Sequence, residues 1–155
     1  MPKIRTDVVD AYVFRRAAAI ELLQLRRVDP PLSGTWQPVM GHTEASETAA
    51  CCMWREVREE TGLQRDETLG AWALEQVHPF FLADRDEIVL SPRFAIEVGG
   101  DWEPILNSEH DAHRWVPITE TTEHFLWPGQ HAAIAELRSL LDVPERCAAL
   151  RLRLP

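Results

Sequence analysis

The sequence predicts an α+β domain in which a mixed β-sheet lies between helices, and three observations lead there. Strand-like segments outnumber helical ones and do not alternate with them regularly, which disfavours a repeating βαβ plan. Two segments, about 47–61 and 128–141, carry strong helix formers bounded by start and stop signals. A length of 155 residues suits one domain burying roughly two thirds of its unfolded surface, so residues 1–155 are read as a single unit. With 45% apolar and 26% charged residues, the composition is that of a packed globular protein.

The elements follow in order. Segments 8–14 and 20–25 are rich in β-branched, aromatic and aliphatic residues and read as neighbouring strands. Segment 28–34, Val-Asp-Pro-Pro-Leu-Ser-Gly, gathers turn formers and is a loop. A short strand at 36–40 runs into Gly41-His42-Thr43-Glu44-Ala45-Ser46. A helix then extends from about Glu47 to Thr61, where Gly62 stops it. Further strands are expected at 69–77, 87–98 and 113–116, with turns at 84–86 and 99–101. Pro128 suits the first position of the second helix, on which Ile134, Leu137, Leu140 and Leu141 form an apolar stripe. The tail beyond Pro144 carries no decisive pattern.

Charge and cysteine usage narrow the function classes. Twenty-five acids against 16 Lys and Arg give a formal charge of −9, the wrong sign for binding a nucleic-acid polymer through its phosphates. An acidic protein that handles phosphates recruits cations to do so. Cys51, Cys52 and Cys147 make neither a disulfide framework nor a paired zinc spacing, and read as reduced thiols of a cytoplasmic protein. No apolar run suits a signal peptide or a membrane span.

The first helix carries the chemistry. At about 100° per residue, with Glu56 at zero, Glu60 falls near ~+40° and Glu59 near ~−60°, so three carboxylates share one arc. Such a cluster repels itself unless a cation sits there, and hard oxygen ligands select Mg²⁺, Mn²⁺ or Ca²⁺. Ala50, Met53, Trp54 and Val57 form an adjoining apolar stripe that can dock on a sheet. Ala49 and Cys52, one turn earlier and both small, are expected to leave room over the acidic face. Arg55 precedes Glu59 by four residues and can brace it, while Glu47 complements the positive end of the helix dipole.

Gly41, Glu47, Arg55-Glu56-Val57, Glu59-Glu60, Gly62 and Leu63 match the pattern G-x5-E-x7-R-E-U-x-E-E-x-G-U, with U a bulky aliphatic residue. The segment thus resembles the Nudix box, complete at every fixed position. The resemblance implies an α/β/α sandwich, metal binding by Glu56, Glu59, Glu60 and the carbonyl of Gly41, and support from Glu47 and Arg55. It also implies Mg²⁺-dependent attack of water on phosphorus, with Mn²⁺ a possible substitute. Glu109, in Asn107-Ser108-Glu109-His110-Asp111, is the candidate general base and a further metal ligand. That loop is similar to the one in the subgroup acting on dihydroneopterin triphosphate and deoxynucleoside triphosphates. Val39-Met40-Gly41 in place of Pro-Gly-Gly, and Ala45-Ser46 before Glu47, depart from the commoner pattern.

The expected substrate is therefore a small phosphorylated molecule, a nucleoside triphosphate or a dihydroneopterin triphosphate-like compound. Alternatives are a nucleoside diphosphate linked to another group, such as a diadenosine polyphosphate, ADP-ribose or a nucleotide sugar, and a catalytically silent nucleotide sensor. Arg26 and Arg27 are candidates to hold a phosphate through their guanidinium forks. Trp36 and Gln37 adjoin the loop, and Trp36 is the aromatic best placed to wall a base. Trp72, Phe80, Phe81 and Trp102 are expected mainly to fill the core. His110 and His113 read as structural or exposed. The protein is expected to be a monomer or homodimer.

Overall fold

A computed structural model describes residues 1–154. Strands run β1 Lys3–Arg5, β2 Val8–Arg16, β3 Ile20–Arg27, β4 Trp36–Gln37, β5 Val39–His42, β6 Thr68–Ala73, β7 His78–Leu82, β8 Glu87–Ser91, β9 Arg93–Val98 and β10 His110–Pro117. The α-helices are α1 Ala49–Thr61, α2 Thr121–His124, α3 Pro128–Leu141 and α4 Pro144–Ala149.

The main sheet has the order β10-β3-β2-β9-β6. It is mixed, because β2 and β9 run parallel while the other neighbours are antiparallel. β2 and β3 pair only between Phe14–Arg16 and Ile20–Leu22 and then diverge. The 36–42 segment fills the gap, with β4 on β3 and β5 on β2, which sets Gly41 in the middle of the sheet opposite Val9. A second sheet, β1-β8-β7, lies beside it.

Strand alternation sorts the core into two layers. Val9, Ala11, Val13, Leu23, Leu25 and Ile96 pack with Cys52, Met53, Trp54 and Val57 of α1. Tyr12, Phe14, Leu22, Ala95 and Val116 pack with Ala133, Ile134, Leu137 and Leu140 of α3. The expected sandwich of helices about a mixed sheet is therefore present. Among the described residues, no helix is long and apolar enough to cross a membrane.

The helix boundaries follow local chemistry. The Thr48 hydroxyl accepts a hydrogen bond from Cys51 N at 3.2 Å, so α1 starts two residues later than the sequence suggests. Gly62 ends it at φ 71°, a left-handed conformation that glycine adopts without a Cβ clash. Pro128 opens α3, as expected. Two expected strands are each broken at a proline, Pro38 and Pro92, because proline cannot donate to a ladder. The tail beyond Pro144 forms α4.

Candidate active site

Gly41 and Glu56 bring sheet and helix together. β5 delivers Gly41 under α1, and a Cβ there would overlap the Glu56 side chain. Glycine is needed for that close approach, not for an unusual backbone angle.

Arg55 organises the carboxylates around it. Its Nε and Nη2 donate to the two oxygens of Glu47 at 3.1 and 3.0 Å, a bidentate fork. Its Nη1 donates to Glu56 at 2.8 Å and to Glu59 at 3.3 Å, and Nη2 also reaches the His42 carbonyl at 2.9 Å. The principal partner of Arg55 is thus Glu47, eight residues away, rather than Glu59. Glu47 lies outside the helix and no acid occupies the first turn of α1, so its role is loop closure and not dipole compensation. Its second oxygen accepts from Glu44 N at 3.0 Å, and Arg55 holds its carboxyl below the usual range.

The three helix carboxylates differ sharply in depth. Their side chains are 15% exposed for Glu56, 57% for Glu59 and 3% for Glu60. Burial pushes Glu56 above its ordinary value despite Arg55. Glu60 is pushed up to about 9, first by burial and then by the negative charges of Glu56 and Glu109, with Arg27 opposing. Among the described residues its Oε2 has no hydrogen-bond partner, and neither has the buried Nε2 of His110, 3.9 Å away.

The loop after β9 closes over this end of α1. Ile105 N donates to the Thr61 carbonyl at 2.8 Å, and Leu106 packs against the α1 core. The Asn107 side chain accepts from Glu109 N at 3.1 Å and faces His110 Nδ1 at 3.4 Å. Val28 N donates to the Glu109 carbonyl at 2.9 Å, and His110 stands opposite Arg27 in the β10–β3 register. Glu109 itself is exposed and Arg27 half-buried.

Cys52 departs from expectation. It is fully buried in the α1 core, and burial pushes its thiol up to about 12, so it makes no open space over the acids. Phe80 and Phe81 do not fill the core either, being 37% and 56% exposed on β7, whereas Trp72 is buried. Gln37 is buried opposite Leu25, on the α1 face. Arg26 forms a bidentate pair with Asp111 at 2.7 and 3.0 Å. Trp36 lies opposite Arg26, and the Arg114 guanidinium sits 4.3 Å from its ring centroid. By strand alternation Trp36, Arg26 and Arg114 point to the α3 side, away from Glu60. Gln24 and Arg114 carry no motif, and only the register of β3 and β10 brings them together.

The site suits a hard divalent cation. Glu60 offers a buried, unpartnered carboxylate oxygen, Glu56 and Glu59 add carboxylates, and Gly41 lets its strand approach them closely. Elsewhere the ligand atoms of Glu120, Glu123 and His124 lie within 4.8 Å of one another. Glu120 and His124 are there an ordinary i,i+4 pair at 3.2 Å at the protein surface.

Comparison with known proteins fits this arrangement. The NUDIX domain model matches residues 4–137. The chain belongs to the Nudix family. Among solved structures, this Nudix protein superposes on the Ap4A hydrolase of C. elegans in a binary complex with a TM-score of 0.73 at 17% identity, covering 89% of this chain and 98% of that one. The E. coli dihydroneopterin triphosphate pyrophosphohydrolase gives 0.71 at 19% identity, covering 86% and 95%. A curated relative, an octanoyltransferase of Myxococcus xanthus, is 33% identical over 130 residues. That match takes in 83% of the Nudix chain, which spans 35% of the length of that relative.

Proposed function

We propose that this Nudix hydrolase cleaves a phosphoanhydride in a nucleoside triphosphate or a dihydroneopterin triphosphate-like molecule. Mg²⁺, or Mn²⁺ in its place, would be held by Glu56, Glu59, Glu60, the Gly41 carbonyl and Glu109. The observation that carries the reading is the Glu60 carboxylate, buried beside Glu56 with an oxygen that no group among the described residues satisfies. A divalent cation held there supplies Lewis acidity toward the anhydride oxygens and the attacking water.

The chain's own groups do the rest. Arg55 ties Glu47, Glu56 and Glu59 to one another and fixes the direction of the helix carboxylates. Arg27 lies close enough to oppose the charge of Glu60 and is placed to meet a phosphate oxygen. Glu109, exposed beside Glu60, accepts the proton of the attacking water as the new P–O bond forms. The bridging P–O bond breaks and its electron pair leaves with the departing phosphate group.

The test is a substrate panel with Mg²⁺: nucleoside triphosphates, dihydroneopterin triphosphate, diadenosine tetraphosphate and ADP-ribose. Pyrophosphate should appear with a monophosphate from the triphosphates. Glu59→Gln and Glu60→Gln should lower that turnover by orders of magnitude, and unchanged turnover would refute the assignment.

A further inference from the structure

The α3 side of the sheet holds a second cation that the proposed chemistry does not use. Arg114 stands opposite Gln24 in the β10–β3 register, and both alternate with residues of the α1 core. Gln24 is fully buried. Its Nε2 donates to the His124 carbonyl at 3.0 Å, and its Oε1 accepts from Arg114 Nε at 2.8 Å. These bonds and the Trp36 ring at 4.3 Å fix the guanidinium plane.

The terminal nitrogens of Arg114 are left over. The half-buried or buried Arg5, Arg15, Arg55 and Arg93 each meet carboxylates within 3.3 Å. Arg26, on the same side of the sheet, is neutralised by Asp111. Among the described residues the Arg114 side chain has no carboxylate partner, and Gln24 is its one hydrogen-bond partner, through Nε alone. Burial lowers its pKa with no opposing charge. A half-buried, pre-oriented fork with both terminal nitrogens open matches a planar or tetrahedral oxyanion.

We propose that Arg114, clamped between Gln24 and Trp36, is the seat of a second oxyanion of the substrate, a phosphate or a carboxylate remote from the cleaved anhydride. The inference rests on the reading of Glu60 as the hydrolytic end. His110, beside Glu60, lies three ladder positions from Arg114, because β10 is bulged between His110 and Ala112; that is about 10 Å at the rise of a strand. The two positions face opposite sides of the sheet and meet where β3 stops at Arg27 and β10 starts at His110. A group bound at Arg114 therefore belongs to the far end of the substrate. Helix α2, whose His124 carbonyl holds Gln24, is followed by Leu126 and Trp127, both more than half exposed.

The test separates this seat from hydrolysis. Isotope-labelled protein of residues 1–155 in EDTA is titrated with inorganic phosphate in one arm and acetate in the other, following the Arg114 Nε–H and Trp36 Nε1–H resonances. Saturable shifts are expected in at least one arm, and the responding arm names the oxyanion. Arg114→Gln should weaken that response at least tenfold, and Arg114→Lys, which keeps the charge without the fork, should weaken it less. Glu60→Gln should leave it intact while abolishing turnover, so failure of the hydrolytic reading shows separately. No saturable shift in either wild-type arm overturns the proposal, as does a response that persists undiminished in Arg114→Gln.

Discussion

Replacing Glu60 by Gln should stabilise the metal-free protein at alkaline pH while removing its activity. Glu60 titrates at about 9 in the fold against an ordinary value of 4.5. Between these values the native state holds a proton that the unfolded chain has released, so stability falls as pH rises. At about 1.4 kcal/mol per pH unit, the metal-free fold loses about 4 kcal/mol to this one group between pH 4.5 and 7.5. Glutamine keeps the protonated shape and carries no such cost. For a domain of this size the gain at pH 7.5 corresponds to roughly 8–16 °C in melting temperature, an upper bound because a loosened loop would rehydrate the carboxylate. His110, held neutral by burial, acts in the other direction by destabilising the fold in acid, and it is common to both proteins. The assay is thermal unfolding in EDTA at pH 5 and pH 8.5, repeated with Mg²⁺ or Mn²⁺. Wild type should lose stability with pH and regain it on adding metal, whereas in Glu60→Gln both effects should be clearly smaller, leaving the part owed to Glu56 and the other groups. A melting difference between the two proteins that is the same at both pH values would refute the reasoning.

Three further outcomes follow from the same geometry. Arg55→Lys keeps a charge but loses the fork shared by Glu47, Glu56 and Glu59, and metal affinity measured by calorimetry should fall 10- to 100-fold, as is typical for a lost orienting partner. Gly41→Ala forces the Glu56 side chain away from β5 and should cost about 1–3 kcal/mol in denaturant unfolding, together with weaker metal binding; an unaffected metal isotherm would count against the close approach. Glu109→Gln alters an exposed loop residue, so melting should shift by about 1 °C or less while kcat falls about 10²- to 10⁴-fold. Equal losses in stability and in kcat would instead mark Glu109 as structural.

The features legible in the sequence are those set by local chemistry. Gly62 and Pro128 mark helix limits because a left-handed cap and a first-turn proline are decided within a few residues. The stripe of Met53, Trp54 and Val57 predicts the buried face of α1 for the same reason. What escaped depends on distant partners. β1 and β7 are strands because both pair with β8; Lys-Ile-Arg is too short to establish a period, and His-Pro-Phe-Phe-Leu does not alternate in polarity. The helical arc of Glu56, Glu59 and Glu60 was visible, yet the depth of each was not. Depth is set by distant segments: Ile105 and Leu106 close on the end of α1 and His110 lies 3.9 Å from Glu60, while Glu59 stays in solvent. Arg55 reaches Glu47 across a turn in the chain, outside the i,i+4 spacing that a helical wheel displays.

The packing also explains why the deepest carboxylate is the one that lacks a counter-ion. Arg55 is the cation at the start of the cluster, and its fork is spent on Glu47, Glu56, Glu59 and the His42 carbonyl. Glu60 lies a turn beyond Glu56 and receives no such contact, while Arg27 opposes its charge from a distance. Extending Arg55-type compensation to Glu60 would make a stable, closed ion-pair network with no affinity left for a divalent cation. A protein selected for stability alone would replace Glu60 there by an uncharged residue. Keeping a carboxylate at 3% exposure beside Glu56 and Glu109 makes sense if its charge is completed by something that arrives from outside the chain.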